Sequence, residues 1–298
     1  MTAGVTFVVN TYNQGASVAD CLAGVLAQRM GDRAREIVLV DDGSDDGTWE
    51  TARSVLESAA FPARCVQFVR RGGVACRQYG FDVARQDLVL LLGGDFVLRD
   101  PDVVAAMLDQ LPDGVPFVSL YGPHGGMGTL YRREFVRAAG GFDQAFNRFG
   151  SGFRDDSDLH YRLRDRGLTG RHLDGLAAGF EHRQPAPRGL RQTVAYAMHR
   201  VAVHRLDPLL FRKHPRAFAA DFGVRGGVLV DPVGDFRRAT GLWRDDGRFE
   251  LSSPQGVTLV PGGGVLGRSA AVAGGIAYVV AVHLARISGS ISYRVVLL

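Results

Sequence analysis

The 298-residue chain is almost without lysine: Lys213 stands alone, and the other 34 of its 35 basic residues are arginine. No lysine precedes position 213, which excludes Walker-type phosphate binding and receiver-domain phosphorylation in the part of the chain that carries the motifs described below. Cysteine is scarce as well. Cys21, Cys65 and Cys76 are odd in number and have no CxxC spacing, so neither a disulfide framework nor a thiolate zinc site is expected, and a reducing compartment suits them. Met1-Thr2-Ala3-Gly4 runs straight into a strand-like segment without the basic and long apolar regions of a signal peptide, so a cytoplasmic protein is expected. A basic stripe is also missing. Arginines and the 31 acidic residues are interspersed, the formal net charge is only +4, and no nucleic-acid partner is expected. With 46% apolar and 22% charged residues, the chain has the makeup of a folded protein long enough to bury a substantial core.

Residues 5–9 form a β-branched apolar run, and Val18, Leu22, Val25 and Leu26 then recur at helical spacing. The unit repeats. Strands are predicted over 37–40, 66–69 and 88–92, with helices around 48–59 and 74–84, and Asp45 or Asp46 stands ready to cap the first of these helices. Four strand-then-loop units in the first 100 residues predict an α/β fold with a doubly wound, mostly parallel sheet flanked by helices. Such sheets bind ligands beyond the carboxyl ends of their strands, where Thr11, Asp41, Asp42, Arg70, Arg71 and Asp95 fall.

Further on, a helix is expected from Pro101 to about Leu111 and a strand over 117–121. A mobile glycine-rich stretch is expected over 122–128, a helix over 155–166, and short extended pieces at 172–173 and 178–181. The character changes near 188. The predicted division is a first domain over 1–187, with halves of about 1–100 and 101–187, and an extension over 188–298. That extension is helical to about Phe218, then turn-rich around Pro232, Pro254 and Pro261. The apolar run 269–282 is bounded by Arg268, His283 and Arg286, shorter than the roughly 20 residues of a spanning helix. A buried or surface-lying helix is expected there, open to peripheral membrane contact or to a homodimer interface.

Carboxylates carry the chemistry. Asp41 and Asp42 end an apolar strand, where they can accept from ribose hydroxyls or a base edge, although capping would explain one acid of the cluster. Asp95 follows two glycines that let phosphates approach the backbone, and it suits magnesium or manganese, or else a solvated turn. Asp155, Asp156 and Asp158 crowd a helix start; the helix dipole favours them there, and their mutual repulsion favours a cation, proton or sugar among them.

In order, the chain carries Asn10-Thr11-Tyr12-Asn13, Asp41-Asp42-Gly43-Ser44-Asp45-Asp46-Gly47-Thr48, Gly73 through Arg77 with Gly80, and Leu92 to Asp95. Gly140-Gly141-Phe142-Asp143 and Asp155-Asp156-Ser157-Asp158-Leu159 follow. This series resembles the family-2 nucleotide-sugar glycosyltransferases of GT-A fold over about residues 4–185. The resemblance implies that a nucleoside-diphosphate sugar is held by Thr11, Tyr12, Asn13, Asp41, Asp42, Arg77, Gly94 and Asp95. It implies a metal at Asp95 and His182, and sugar transfer with inversion to a hydroxyl-bearing acceptor. Asp156 would be the general base in place of the family's Glu-Asp pair, with Asp155 beside it and Asp158 near the acceptor. The chain departs from the family at Asn10 for proline, Gln78 for asparagine, Gly93 for the first acid of the DxD motif and Asp155 for glutamate. Two other readings are weighed against this one. A sugar nucleotidyltransferase would want a basic residue in its first loop, and residues 10–16 have none. A binding module that has lost its chemistry is suggested by Gly93.

Overall fold

The computed structural model describes residues 3–120, 126–148, 152–183, 189–229, 251–252, 258–259 and 265–297. Two compact units divide the chain, Met1–Arg183 and Gln184–Leu298.

In the first unit β1 (Val5–Thr11), α1 (Val18–Leu26), β2 (Arg35–Asp41), α2 (Thr48–Glu57), β3 (Ala63–Gln67), α3 (Gly73–Val83) and β4 (Leu88–Gly93) follow one another. β1 lies between β2 and β4, all parallel, and β3 adds to the outer side of β2. Alternation along the strands divides the apolar residues between two layers. Phe7, Val9, Ile37, Leu39, Leu90 and Leu92 pack with α1 residues Leu22 and Val25. Val8, Val38, Val40, Val89 and Leu91 pack with Val74 and Phe81 of α3 on the opposite face.

Next come β5 (Phe96–Leu98), α4 (Val103–Asp109), β6 (Phe117–Ser119), β7 (Thr129–Arg132), α5 (Arg133–Ala138), α6 (Asp155–Arg164), β8 (Arg171–His172) and β9 (Phe180–His182). β7 runs antiparallel to both β4 and β6, and β8 is parallel to β6. The seven-stranded order is β3-β2-β1-β4-β7-β6-β8. The sheet is thus mostly parallel and flanked by helices, as expected. β5 and β9 form a separate antiparallel pair with Phe96 opposite His182.

Some boundaries differ from expectation. The third strand lies upstream of 66–69, because Val69 is 92% exposed and the chain has already turned away from the sheet. β6 stops at Ser119, and residue 121 of the expected strand and 122–125 of the glycine-rich stretch lie outside the described residues. The extended piece expected at 178–181 begins two residues later, after a 3-10 turn over Asp174–Gly179.

The second unit contains α7 (Gly189–Ala202), α8 (Asp207–Lys213), α9 (Pro215–Phe222) and α10 (Val265–Tyr293). Pro232, Pro254 and Pro261 lie outside the described residues. α10 corrects the short run expected at 269–282: it has 29 residues and passes unbroken through His283 and Arg286. Arg286 does not end the helix because its guanidinium is buried and donates from Nε to Asp207 Oδ2 at 2.8 Å. Among the described residues, Ile276–Tyr293 is the one helical segment long and apolar enough to cross a membrane.

Candidate functional site

Parallel register sets Thr11 beside Asp41 and Asn10 beside Gly93 at the carboxyl ends of three adjacent strands. Asp41 is fully buried there. Its Oδ1 accepts from Thr11 Oγ1 at 2.9 Å and Ser44 Oγ at 2.5 Å, and its Oδ2 from Ser44 N at 2.9 Å and Gln67 Nε2 at 3.0 Å. Four donors of the chain itself engage this carboxylate, so Asp41, expected at the nucleoside, also shapes the loop after β2. Asp42 Oδ1 accepts from Arg71 N at 2.7 Å and Gly72 N at 3.0 Å, which ties the loop after β3 to the end of β2. The charge of Asp42 is also felt by Cys76, whose thiol is pushed up to about 12 chiefly by burial. That thiol stays protonated at neutral pH and is no nucleophile.

The loops after β1 and β2 are stitched together. Asn13 N donates to Ser44 Oγ at 2.9 Å, Asp45 N to Asn13 Oδ1 at 3.1 Å, and Gln14 N to Thr48 Oγ1 at 2.8 Å. Asp46 accepts from Gly15 N at 2.9 Å and Thr48 N at 3.1 Å, so it is the acid that receives the first N–H of α2. Burial would raise its carboxyl, but bonds from the Thr48 hydroxyl and these N–H groups outweigh burial and hold it below the ordinary range. On this platform Tyr12 is 41% exposed, with the Arg70 guanidinium 3.6 Å from its ring centroid. Arg70 has a left-handed φ of +45°, and its role at this loop was legible in the sequence only as a basic residue after a strand.

Gly94 N donates to Asn10 O at 2.9 Å, and a Cβ on Gly94 would lie 2.6 Å from both Thr11 Cγ2 and Gln14 Oε1. Only glycine fits between those loops. Asp95 follows, and its Oδ2 is 3.1 Å from His182 Nε2, an 87-residue separation closed by the β5–β9 pairing and by Arg183 N donating to Asp95 O at 2.7 Å. Each side chain is 11% accessible. The His182 ring also packs on Phe96, centroids 4.9 Å apart.

The α6 acids have three different surroundings. Asp155 is buried and accepts from Arg77 Nε at 2.8 Å, with Arg77 Nη2 2.6 Å away. Burial pushes its carboxyl up, the Arg77 charge pulls it down, and the neighbouring Asp156 charge adds to the rise. Asp156 is only partly buried. Its Oδ1 accepts from Ser157 N at 2.7 Å, and its Oδ2 is 3.0 Å from where a Cβ on Gly126 would stand. Asp158, expected near the acceptor, is buried: its side chain is 0% exposed and accepts from Arg162 Nε at 2.8 Å. Arg162 in turn donates to Gly141 O at 2.7 Å and to Ala139 O, so Asp158 anchors the helix to the glycine turn after α5.

Residues 126–128 connect the two acidic places. Gly126 borders Asp156, Met127 Cγ is 3.8 Å from a Cβ built on Gly93, and a Cβ on Gly128 would meet Phe96 at 3.0 Å. Asn147 went unnoticed in the sequence. Its side chain donates to Arg71 O at 2.6 Å and accepts from Val74 N at 3.3 Å, and no local pattern announces contacts more than 70 residues apart. Among the described residues no three His, Cys, Asp or Glu side chains gather as a metal site, so Asp95 and His182 would need further ligands from a bound molecule.

Residues 6–168 match the family model for Glycosyl transferase family 2. Dodecaprenyl-phosphate galacturonate synthase of Rhizobium johnstonii is 33% identical over 109 residues, which are 36% of this chain and 32% of that protein. Poly-beta-1,6-N-acetyl-D-glucosamine synthase of Staphylococcus aureus is 30% identical over 107 residues, 36% of this chain and 25% of the relative. The chain thus spans about a third of the first relative's length and a quarter of the second's. Among solved structures, mannosyltransferase PcManGT from Pyrobaculum calidifontis, in complex with GDP-Man and Mn2+, superposes with a TM-score of 0.62. It is 18% identical, with coverage of 96% of this chain and 88% of that one. Staphylococcus aureus TarS 1-349 with UDP-GlcNAc gives 0.54 at 15% identity, covering 98% and 89%. Glucosyl-3-phosphoglycerate synthase from Mycobacterium tuberculosis, with Mn2+ and UDP-Glc, gives 0.52 at 15% identity, covering 72% and 79%. At these identities the likeness is one of fold.

Proposed function

Because the chain belongs to glycosyl transferase family 2, we propose the following reaction of sugar transfer. The enzyme moves a sugar from a nucleoside-diphosphate donor to an acceptor hydroxyl, with inversion and with Asp156 as general base. The observations that carry this reading are the partly open Asp156 carboxylate beside Gly126 and the Asp95–His182 pair, whose neighbours Gly93 and Phe96 border Met127 and Gly128. The acceptor hydroxyl must lose a proton as it attacks, and Asp156 Oδ2 is the α6 carboxylate oxygen left toward Gly126 to receive it. Asp155, engaged with Arg77, is a positioning residue in this scheme and holds the helix start rigid.

A divalent cation, magnesium or manganese, belongs to the same proposal, with Asp95 and His182 as its protein ligands. A carboxylate and an imidazole in mutual contact, each side chain 11% accessible, suit a cation that takes its remaining ligands from diphosphate oxygens. When bound, the cation would offset the charge gained by the departing diphosphate. Tyr12 with Arg70 above its ring, together with Thr11, Asn13, Asp42 and Gly94, would form the nucleoside side of the site. The free thiols of Cys21, Cys65 and Cys76 fit a cytoplasmic setting.

Thermal unfolding with UDP-, GDP- and dTDP-sugars, with and without manganese, tests donor binding. A matching donor at a hundred times its Kd should stabilise by about 2.7 kcal/mol, and more weakly without the metal. Asp156→Asn should keep that shift while losing about 10²–10⁴-fold in transfer rate. Undiminished transfer by the folded variant would remove Asp156 as the base. Gly93, where an acid would serve the metal, favours a second reading as a donor-binding module; binding without transfer or donor hydrolysis in the unaltered chain would select it.

A further inference from the structure

The second unit presents an apolar surface of definite shape. Along α10, Val282, Ala285, Arg286 and Ser290 are buried, and Arg286 holds Asp207, which is also in contact with His204 Nδ1 at 2.8 Å. A Cβ on Gly289 would strike Arg205 O, so the helix lies hard against the segment before α8. Ile276, Val280, Leu284, Ile287 and Ile291 occupy a different face, spaced four, four, three and four residues apart. All are between 38% and 76% exposed. They form one stripe about 22 Å long. α7 exposes Val194 and Met198 as well.

Charge indicates what covers the stripe. The first unit has 20 basic and 24 acidic residues, a formal −4, whereas the second has 15 basic and 7 acidic, a formal +8. Exposed Arg294 follows the stripe directly, and Arg212 Nη1 donates to Tyr293 O at 3.0 Å at the same helix end. A second copy of this unit would bring like charges together, while an anionic surface would draw them in.

We propose that the α10 stripe rests on an anionic lipid bilayer, lying in its surface without crossing it. The buried Arg286–Asp207 pair commits one side of the helix to the protein, which leaves the stripe to enter the headgroup boundary while arginines stay at its rim. This inference does not depend on the sugar-transfer reading.

The test is sedimentation of the full chain with vesicles of phosphatidylcholine alone and of phosphatidylcholine mixed with phosphatidylglycerol. Pelleting is expected with the mixed vesicles only, with release at high salt and a fall of at least about tenfold for Leu284→Glu/Ile291→Glu. Both positions are exposed, so the variant should keep the melting temperature of the unaltered chain. In a second measurement, Leu284→Trp should shift its fluorescence to the blue on mixed vesicles and not on neutral ones. Equal pelleting of variant and unaltered chain, or none by either, overturns the proposal. Pelleting that resists salt and alkaline carbonate overturns it in favour of a span. A dimer that the glutamates dissociate, with no vesicle binding, overturns it in favour of a second copy.

Discussion

Asp155 and Asp156 are adjacent in sequence and opposite in circumstance, and the difference has a measurable consequence. Burial raises the Asp155 carboxyl, and Arg77 is the charge that opposes the rise. A carboxyl whose folded value stands above its unfolded one contributes stability in acid that is lost as pH climbs through the folded value. Arg77→Met removes the opposing charge, so the carboxyl should rise further and the loss should deepen. The expected cost near neutrality is about 3–5 kcal/mol, the penalty of a buried charge without its partner. That deficit should shrink as the pH falls and Asp155 takes up its proton. Urea unfolding over a pH series checks this, and Arg77→Met/Asp155→Asn should recover much of the loss. A deficit of equal size at every pH would assign it to lost packing instead. The presence of acids at the strand ends and at the start of α6 was legible in the sequence; their division of labour was not. Asp41, Asp155 and Asp158 are taken up by partners from Thr11 to Arg162, and only long-range contacts reveal which carboxylates stay open.

At the scale of elements, α1 holds β5, and β5 follows directly from Asp95. A Cβ on Gly24 of α1 would lie 2.6 Å from Leu98 O and 3.1 Å from Leu98 N, both backbone atoms that cannot swing aside. Alanine is favoured over glycine within a helix by about 1 kcal/mol, but forcing a methyl into a closed contact costs about 1–3 kcal/mol. The contact with backbone decides the sign. Gly24→Ala should destabilise the chain in chemical denaturation and, by displacing β5, weaken manganese-dependent donor binding. Increased stability would show that helix propensity wins. The units of β1, β2 and β4 were readable because each of these strands is a buried, mostly apolar run and the helix that follows repeats apolar residues at its own period, whereas β3, with no buried residue, was placed too far downstream. β5, β8 and β9 have two or three residues each and owe their existence to partners elsewhere, so pattern alone marks them poorly. α10 misled for a related reason. An arginine in an apolar run reads as an end unless its carboxylate partner, 79 residues away, is known.

Across the whole molecule, composition conceals an asymmetry, since a formal +4 is the sum of an acidic unit and a strongly basic one. The first unit contains the sheet, both apolar layers and every residue assigned above to donor, cation or base. The second contributes the basic surface and the α10 stripe. If those roles are separable, residues 1–183 expressed alone should fold cooperatively and keep the donor-induced rise in melting temperature. They should also lose vesicle binding, and bind an anion exchanger at neutral pH, whereas the full chain, with a pI near 9.2, binds a cation exchanger. Circular dichroism melts, donor titration and vesicle sedimentation of the two proteins side by side supply the comparison. A truncated chain that folds but no longer responds to any donor would mean that the second unit takes part in donor binding itself, and the division of labour drawn from the charges would fail.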